Sequence, residues 1–191
     1  NPYKREYIIK DTKGNIYNFN QSQELEIYSV FYSKDNENTR SSTIFKTGVL
    51  EYSAYIDKND KIHIIALLND GSLTYSIYSN EKLSTNLISK LDIKSNTYKH
   101  LNLYIVNDSI HIFYAYSNLI NSNIWSIQHI VGNKKKWEKK TVINTIADKS
   151  FSPFLVDFDK LGNVPLVYGA YDQVKNHIYY TFYNTYQQKW N

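Results

Sequence analysis

The chain has 191 residues, a formal net charge of +4 and no cysteine, which excludes disulfide frameworks, thiolate metal sites and thiol nucleophiles. The basic excess is too weak to indicate a nucleic-acid partner. The most apolar stretch, residues 62–68, is far shorter than the ~20 residues that span a bilayer, so we expect no membrane insertion.

Four segments repeat the same order of predicted elements along the chain. Each segment begins with a short β-rich run that ends in a turn containing Asp, Gly or Asn. Each turn leads into a second strand in which apolar residues alternate with other residues. The turns lie at residues 10–14, 57–60, 106–108 and 159–162, and the second strands at residues 15–19, 61–65, 109–113 and 163–167.

The third predicted strand of each repeat carries an aromatic residue, then a hydroxyl residue, then an apolar residue. These triplets begin 12 to 16 residues after an Ile or Val marker in the second strand. We expect the aromatic residues to pack between neighbouring sheets. The triplets start at Tyr28, Tyr75, Trp125 and Tyr180, and the markers are Ile16, Ile62, Ile110 and Val164.

A fourth strand is predicted at residues 42–45, 86–93, 137–146 and 187–190, with Trp137 and Trp190 at matching places near its start. Residues 87–91 could form one helical turn, and no longer segment has a helical period. Several strands, such as residues 62–68, are apolar on both sides. Strands of this kind are expected where each sheet packs between two others.

Four strands per ~50 residues, repeated four times, resemble the β-propeller superfamily. The resemblance implies an all-β fold with about four blades of four antiparallel strands, at residues 1–47, 48–95, 96–148 and 149–191. The sequence lacks the blade signatures of the WD40 and kelch types. Because the last fourth strand is short, we expect an incomplete ring, a piece of a longer array, or completion by a second chain. An open blade edge favours self-association.

Histidines and aspartates at repeated positions have structural interpretations. His63 and His111 occupy the same place on successive second strands, where packing with the ring bonded to neighbouring backbone is expected. No pair of histidines has the spacing of a zinc site. Asp11, Asp57 and Asp159 precede three of the turns, and aspartate in such a turn accepts bonds from backbone amides. We therefore predict no metal ion and no cofactor.

Tyrosines and polar residues near the loops between second and third strands form the predicted binding rim. Aromatic faces with planar amides and carboxylates suit sugar rings, because C–H groups stack on the aromatic ring while hydroxyls bond to the polar groups. An ordinary polar rim is the competing interpretation. The rim residues are Tyr116, Tyr171, Asp172, Asn118, Asp70 and Asn69.

The sequence favours a non-catalytic binding module of a larger secreted or cell-surface protein that presents one rim to a glycan or protein ligand. The bias toward Asn, Lys, Ile and Tyr resembles proteins of AT-rich bacteria, and the absence of an initial methionine suggests an excised piece. One alternative is a fragment of a propeller glycoside hydrolase, which needs two carboxylates within ~5–10 Å. Another is a structural or oligomerisation domain.

The basic run at residues 134–140 is expected to be a solvated hairpin that protects an outer strand.

Overall fold

The computed structural model describes residues 5–35, 39–45, 48–79, 82–133, 136–147, 153–171 and 174–191. Within these ranges the chain forms strands and turns and contains no helix. The strands are β1 (Tyr7–Lys10), β2 (Ile16–Gln21), β3 (Ile27–Tyr32), β4 (Thr39–Phe45), β5 (Val49–Ile56), β6 (Ile62–Leu68), β7 (Ser72–Ser79), β8 (Lys82–Lys90), β9 (Asn96–Val106), β10 (Ser109–Asn118), β11 (Ile124–Asn133), β12 (Lys136–Ile146), β13 (Phe154–Val156), β14 (Val164–Tyr171), β15 (Asn176–Asn184) and β16 (Lys189–Trp190).

The strands form four four-stranded sheets, each built from consecutive strands in chain order. Sheet 1 contains β1–β4, sheet 2 contains β5–β8, sheet 3 contains β9–β12 and sheet 4 contains β13–β16. The chain divides into two compact units, the first with Asn1–Asp92 and Leu101–Ile105, the second with Ile93–His100 and Val106–Asn191. The predicted all-β fold of four four-stranded antiparallel blades is confirmed.

In the first unit, sheets 1 and 2 bury a common core. Phe19 and Ile27 of sheet 1 are fully buried, in one cluster with Ile62, Ile64 and Tyr52 of sheet 2. Alternation along β2 and β6 places these side chains on one face of each sheet. Fully burying each aliphatic or aromatic side chain contributes about 1.5–3 kcal/mol before entropy is counted.

In the second unit, sheets 3 and 4 pack through aromatic rings. Phe113 of β10 and His129 of β11 are stacked, with ring centroids 4.3 Å apart. The edge of the His129 ring approaches Tyr183 at 4.7 Å and Trp190 at 5.6 Å. These four residues join the facing sides of the two sheets. The matching places predicted for Trp137 and Trp190 are confirmed, because they pair with Gly132 and Tyr183, the partners of Ile110 and Val164.

The turn aspartates have the predicted structural role. The Asp57 Oδ1 atom accepts bonds from the amides of Asn59 and Lys61, at 2.8 and 2.9 Å. Asp159 does the same for Leu161 and Asn163, both at 2.8 Å. Asp11 accepts from the Asn15 amide at 2.8 Å. In the third repeat the hairpin instead uses two consecutive residues with positive φ, Asn107 and Asp108, which is the backbone of a type I′ turn.

The helical turn considered for residues 87–91 is not formed, because residues 87–90 belong to strand β8. The aromatic triplets lie in different registers, since Tyr28 lies opposite Asn20, four places after Ile16, whereas Tyr75 lies opposite Ile65, three places after Ile62. An offset of one residue reverses the face of a strand. Loops of different length separate the strands, so sequence distance alone does not fix cross-strand pairing.

The third-strand aromatics consequently differ in burial. Tyr75 and Trp125 are 0% and 1% exposed, as expected for packing between sheets. Tyr180, by contrast, is 64% exposed, and Tyr28 is half-buried. The prediction of a packing role is therefore wrong for Tyr180, whose face of sheet 4 is open.

Candidate functional site

The described residues of the predicted rim lie at or just after the ends of second strands, and the side chains of Asp70 and Asn118 bond within local turns. The Asp70 carboxylate accepts bonds from the Ser72 amide and hydroxyl, at 2.9 and 3.0 Å, and from Lys90 Nζ at 2.7 Å. The Lys90 bond and the two Ser72 bonds lower the pKa of Asp70 to about 2. Asn118 Oδ1 likewise accepts from the Ile120 amide at 2.9 Å.

The remaining rim residues are spread over the two units. Asn69 belongs to the first unit, where its backbone amide donates to the Gly48 carbonyl. Tyr116 is half-buried in the second unit with its ring 5.8 Å from Tyr98, and Tyr171, at the end of β14, is 41% exposed. Asp172 lies outside the described residues. The two cavities described below include none of these residues, and their role as ligand contacts stays a prediction.

A cleft of ≈ 600 Å³ opens in the second unit at the other ends of these strands. We call it the hairpin cleft, because its mouth is formed by the turns β9–β10, β13–β14 and β15–β16 and by Asn133 and Lys136 at the ends of β11 and β12. Sequence reasoning missed it, since it placed the ligand at the β6–β7, β10–β11 and β14–β15 ends. Mouth residues include Asn107, Asn133, Leu161, Thr185, Tyr186 and Gln188.

The base of the hairpin cleft is closed and partly aromatic. His111 and Tyr183 line it and are only 2% and 1% exposed, so they form its floor. At the mouth, Tyr186 is 95% exposed and Leu161 is 82% exposed. An aromatic ring and an aliphatic side chain held out in water at the mouth of a cleft are available for a ligand.

Polar side chains surround this apolar base. Asn107 and Gln188 supply amides, and Ser109 and Thr185 supply hydroxyls. Asn133 also lines the cleft, and its Oδ1 atom accepts from the Lys136 backbone amide at 3.1 Å. Planar amides can donate and accept at the same time, which matches the mixed donors and acceptors of a polyol.

Charged side chains close one side of the hairpin cleft. Glu138 lines it, and its carboxylate lies 3.3 Å from Lys140 Nζ. The same Nζ donates to the Gln188 carbonyl at 2.6 Å and lies 5.5 Å from the centre of the Tyr183 ring. Lys140 therefore ties β12 to the β15–β16 turn, and the prediction of a solvated basic hairpin is wrong for this residue. Residues 134 and 135 lie outside the described residues.

His111 of the floor stacks on a second buried histidine, His129. His111 Nδ1 and His129 Nε2 are 3.0 Å apart, and the two rings are nearly parallel. The packing role predicted for His111 is confirmed, although its partner is a side chain and not the expected backbone group. Burial lowers the pKa of His111 to about 4. Burial, then the neighbouring His111 and Lys140, also lower the pKa of His129.

The first unit contains a chain of hydrogen bonds between an acid, an imidazole and a phenol. Asp57 Oδ2 lies 3.0 Å from His63 Nε2, and His63 Nδ1 lies 2.5 Å from the Tyr75 hydroxyl. Such a chain can activate a nucleophile. Here Tyr75 is fully buried, and burial followed by the charge of Asp57 raises its pKa to about 12. The arrangement therefore holds β6 against β7 and the preceding turn, and offers no reactive atom to solvent.

Metal and membrane signatures are also absent from the described part of the chain. No group of three or more His, Asp or Glu side chains is arranged there to hold a metal ion. Nor do these residues include a helix with the length and apolarity needed to cross a membrane.

Comparison with known proteins places the fold. No protein-family model matches the chain, and no curated protein matches it. Among solved structures, a mutant of Aleuria aurantia lectin in complex with α-methyl-L-fucoside matches with a TM-score of 0.65 and 16% identity, over 98% of this chain and 62% of the lectin. AofleA from Arthrobotrys oligospora matches with a TM-score of 0.61 and 11% identity, over 100% of this chain and 55% of that one.

A bifunctional GH43-CE protein of Bacteroides eggerthii also matches, with a TM-score of 0.57 and 11% identity, over 93% of this chain and 24% of that one. These neighbours are β-propeller proteins, in agreement with the four-stranded sheets described above. At such low identity the likeness shows the fold alone. The chain spans between about a quarter and three fifths of the length of these structures.

Proposed function

We propose that this protein is a non-catalytic glycan-binding module and that the hairpin cleft is its ligand site. The observation that carries the proposal is the exposed Tyr186 ring at the mouth of a cleft whose walls are amides and hydroxyls. An aromatic face takes the C–H side of a sugar, and the polar groups take its hydroxyls.

The structural neighbours support this choice of ligand class. Two of the matching lectin structures are described as complexes with fucosides, one with Fucα1-6GlcNAc and one with α-methyl-L-fucoside. A fucoside presents one apolar edge and several hydroxyls, which suits the chemistry of the hairpin cleft. The proposal also includes a secreted or cell-surface location in a bacterium, where glycans are displayed, and this can be checked by cell fractionation.

A glycoside hydrolase is the competing proposal, since glycosidase propellers are among the neighbours. Such chemistry needs two carboxylates on opposite sides of the scissile bond, ~5–10 Å apart. Among the described residues that line the hairpin cleft, Glu138 supplies the one carboxylate. Binding without turnover is therefore favoured over hydrolysis.

The test is a glycan-array screen followed by calorimetric titration of the best hit, with α-methyl-L-fucoside as a fixed probe. We expect Tyr186→Ala to weaken binding about tenfold, the loss of ~1.4 kcal/mol that one stacking contact supplies. Because Tyr186 is 95% exposed, its removal should leave the thermal unfolding temperature unchanged.

Tyr116→Ala and Tyr171→Ala are the matched controls, since they remove a tyrosine from the predicted rim. Unchanged binding in both, with weakened binding in Tyr186→Ala, supports the hairpin cleft. The reverse pattern moves the site to the rim and contradicts this assignment. An array without any hit contradicts the glycan proposal itself.

A further inference from the structure

One face of sheet 4 is apolar and open to solvent. Leu155, Val167 and Tyr180 lie side by side in one cross-strand row, and they are 70%, 36% and 64% exposed. Ile178, paired with Gly169 on the same face, is 82% exposed. We call this surface the outer face of sheet 4. A cavity of ≈ 340 Å³ borders it, with Leu155, Val167 and Ile178 among its lining residues.

The corresponding face of sheet 3 is covered along its second strand. Its second strand presents His111, Phe113 and Ala115, which are at most 2% exposed, beneath the opposite face of sheet 4. In sheet 2 the same positions are His63, Ile65 and Leu67, which are at most 4% exposed. The outer face of sheet 4 therefore has the residue pattern of a sheet-packing surface, and contiguous exposed apolar residues of this kind mark interfaces.

Sheet 1 also has an open face, and it is the opposite one of its two faces to the open face of sheet 4. Its covered face carries Phe19 and Ile27 against sheet 2, while the other carries Ile8, Ile16 and Tyr32, which are 70%, 37% and 41% exposed. This outer face of sheet 1 is the face that holds the marker position. In sheet 4 the marker face, with Val164, is the one that covers sheet 3. The interface between sheets 3 and 4 pairs a face without the marker position, on sheet 3, with a face that carries it, on sheet 4. The open face of sheet 4 lacks the marker position and the open face of sheet 1 carries it, so the two open faces correspond to these two packed faces.

We propose that the outer face of sheet 4 in one copy of this chain docks on the outer face of sheet 1 in a second copy. The contact repeats the arrangement of faces already present between sheets 3 and 4. It places the apolar row of sheet 4 against a mixed face of sheet 1, on which Ile8, Ile16 and Tyr32 lie beside Asn18 and Asn20. It is a head-to-tail interface, because each copy contributes a different surface, and it therefore leaves one free face of each kind in a dimer. The inference does not depend on glycan binding.

Sedimentation velocity over a range of protein concentrations tests the interface. We expect the wild type to form dimers or larger assemblies whose population rises with concentration. Tyr180→Lys disables the outer face of sheet 4, and Ile8→Lys disables the outer face of sheet 1, so each variant alone should be monomeric. Both side chains are largely exposed, and circular dichroism should show that both variants fold. Ile120→Lys, which changes a 96% exposed residue of the β10–β11 loop, is the control that should assemble like the wild type.

An equimolar mixture of the two variants is the decisive measurement. Each retains the face that the other has lost, so the mixture should form a dimer that grows no further. A dimer of Ile8→Lys alone indicates that sheet 4 pairs with itself and overturns the head-to-tail arrangement. A wild type that stays monomeric at the highest concentration, or a mixture that stays monomeric, overturns the proposal as a whole.

Discussion

Replacing Tyr52 with alanine should lower the free energy of unfolding by about 3–5 kcal/mol, as expected for a fully buried aromatic residue. Tyr52 is 1% exposed and sits in the core between sheets 1 and 2. Its ring meets Tyr7 edge to face at 5.2 Å. Its hydroxyl oxygen lies 2.7 Å from the Arg5 carbonyl oxygen and 3.1 Å from the Phe19 carbonyl oxygen, so one side chain joins β5 to both chain segments at the open end of the β1–β2 hairpin.

Tyr52→Phe separates the two contributions. It keeps the ring but removes the hydroxyl, leaving a buried carbonyl with fewer partners, and should cost about 1–3 kcal/mol. Urea denaturation followed by circular dichroism measures both variants, with the exposed Tyr186→Ala as a control expected within about 0.5 kcal/mol of wild type. Equal losses for the two Tyr52 variants would mean that packing of the ring adds nothing, contrary to this account.

Lowering the pH from 7.5 to 5 should destabilise the fold by about 4 kcal/mol through the buried histidine pair. In the unfolded chain both imidazoles have a pKa near ~6.5. In the folded chain the pKa of His111 is about 4, and that of His129 is also lowered. Between these values the unfolded chain binds protons that the folded chain does not, so the free energy of unfolding falls as the pH falls. At pH 5 each histidine contributes a loss of about 2 kcal/mol, and above pH 7 the dependence disappears.

The charge of Lys140 also lowers the pKa of His129, in the same direction as burial. Lys140 is the cation close to His129, and Tyr183 and Trp190 pack against it without offering an acidic group. Asp57 and Asp159 have lowered pKa values, so their contribution is lost mainly below pH 4, outside this window.

Urea denaturation at pH 7.5, 6.5, 5.8 and 5 measures how the free energy of unfolding changes with pH. His129→Gln removes one titrating group and should reduce the pH-dependent loss by about half. His177→Gln is the matched control, because His177 lies on sheet 4 outside the buried pair and is only half-buried. An unchanged slope in His129→Gln would show that the pair does not control acid stability.

The repeat architecture was predictable because its signals are local. An aspartate before a hairpin, as at Asp57 and Asp159, and an alternating strand such as residues 62–68 each specify a turn or a strand within a few residues. Register was not predictable at the third strands, since the pairing of Tyr28 with Asn20 depends on loop conformation and tertiary packing.

The hairpin cleft was not predictable for a related reason. Its lining comes from four hairpins that are far apart in sequence, and the distinguishing feature of Tyr186 is its 95% exposure, which alternation in the sequence does not encode. The one usable signal was an aromatic residue placed inside a polar turn, at residues 184–188. Sequence reasoning gave more weight to Tyr116 and Tyr171, at the opposite strand ends.

Strand β12 has a consequence for storage of the protein. It is an edge strand, and its two halves differ, because Lys136–Lys140 is strongly charged whereas Thr141–Ile146 carries no charge and is rich in β-branched residues. Uncharged segments of this kind can stack into cross-β fibrils, and adjacent lysines oppose this by mutual repulsion. Since salt screens such repulsion, concentrated solutions of high ionic strength are the conditions under which fibril growth should begin from β12.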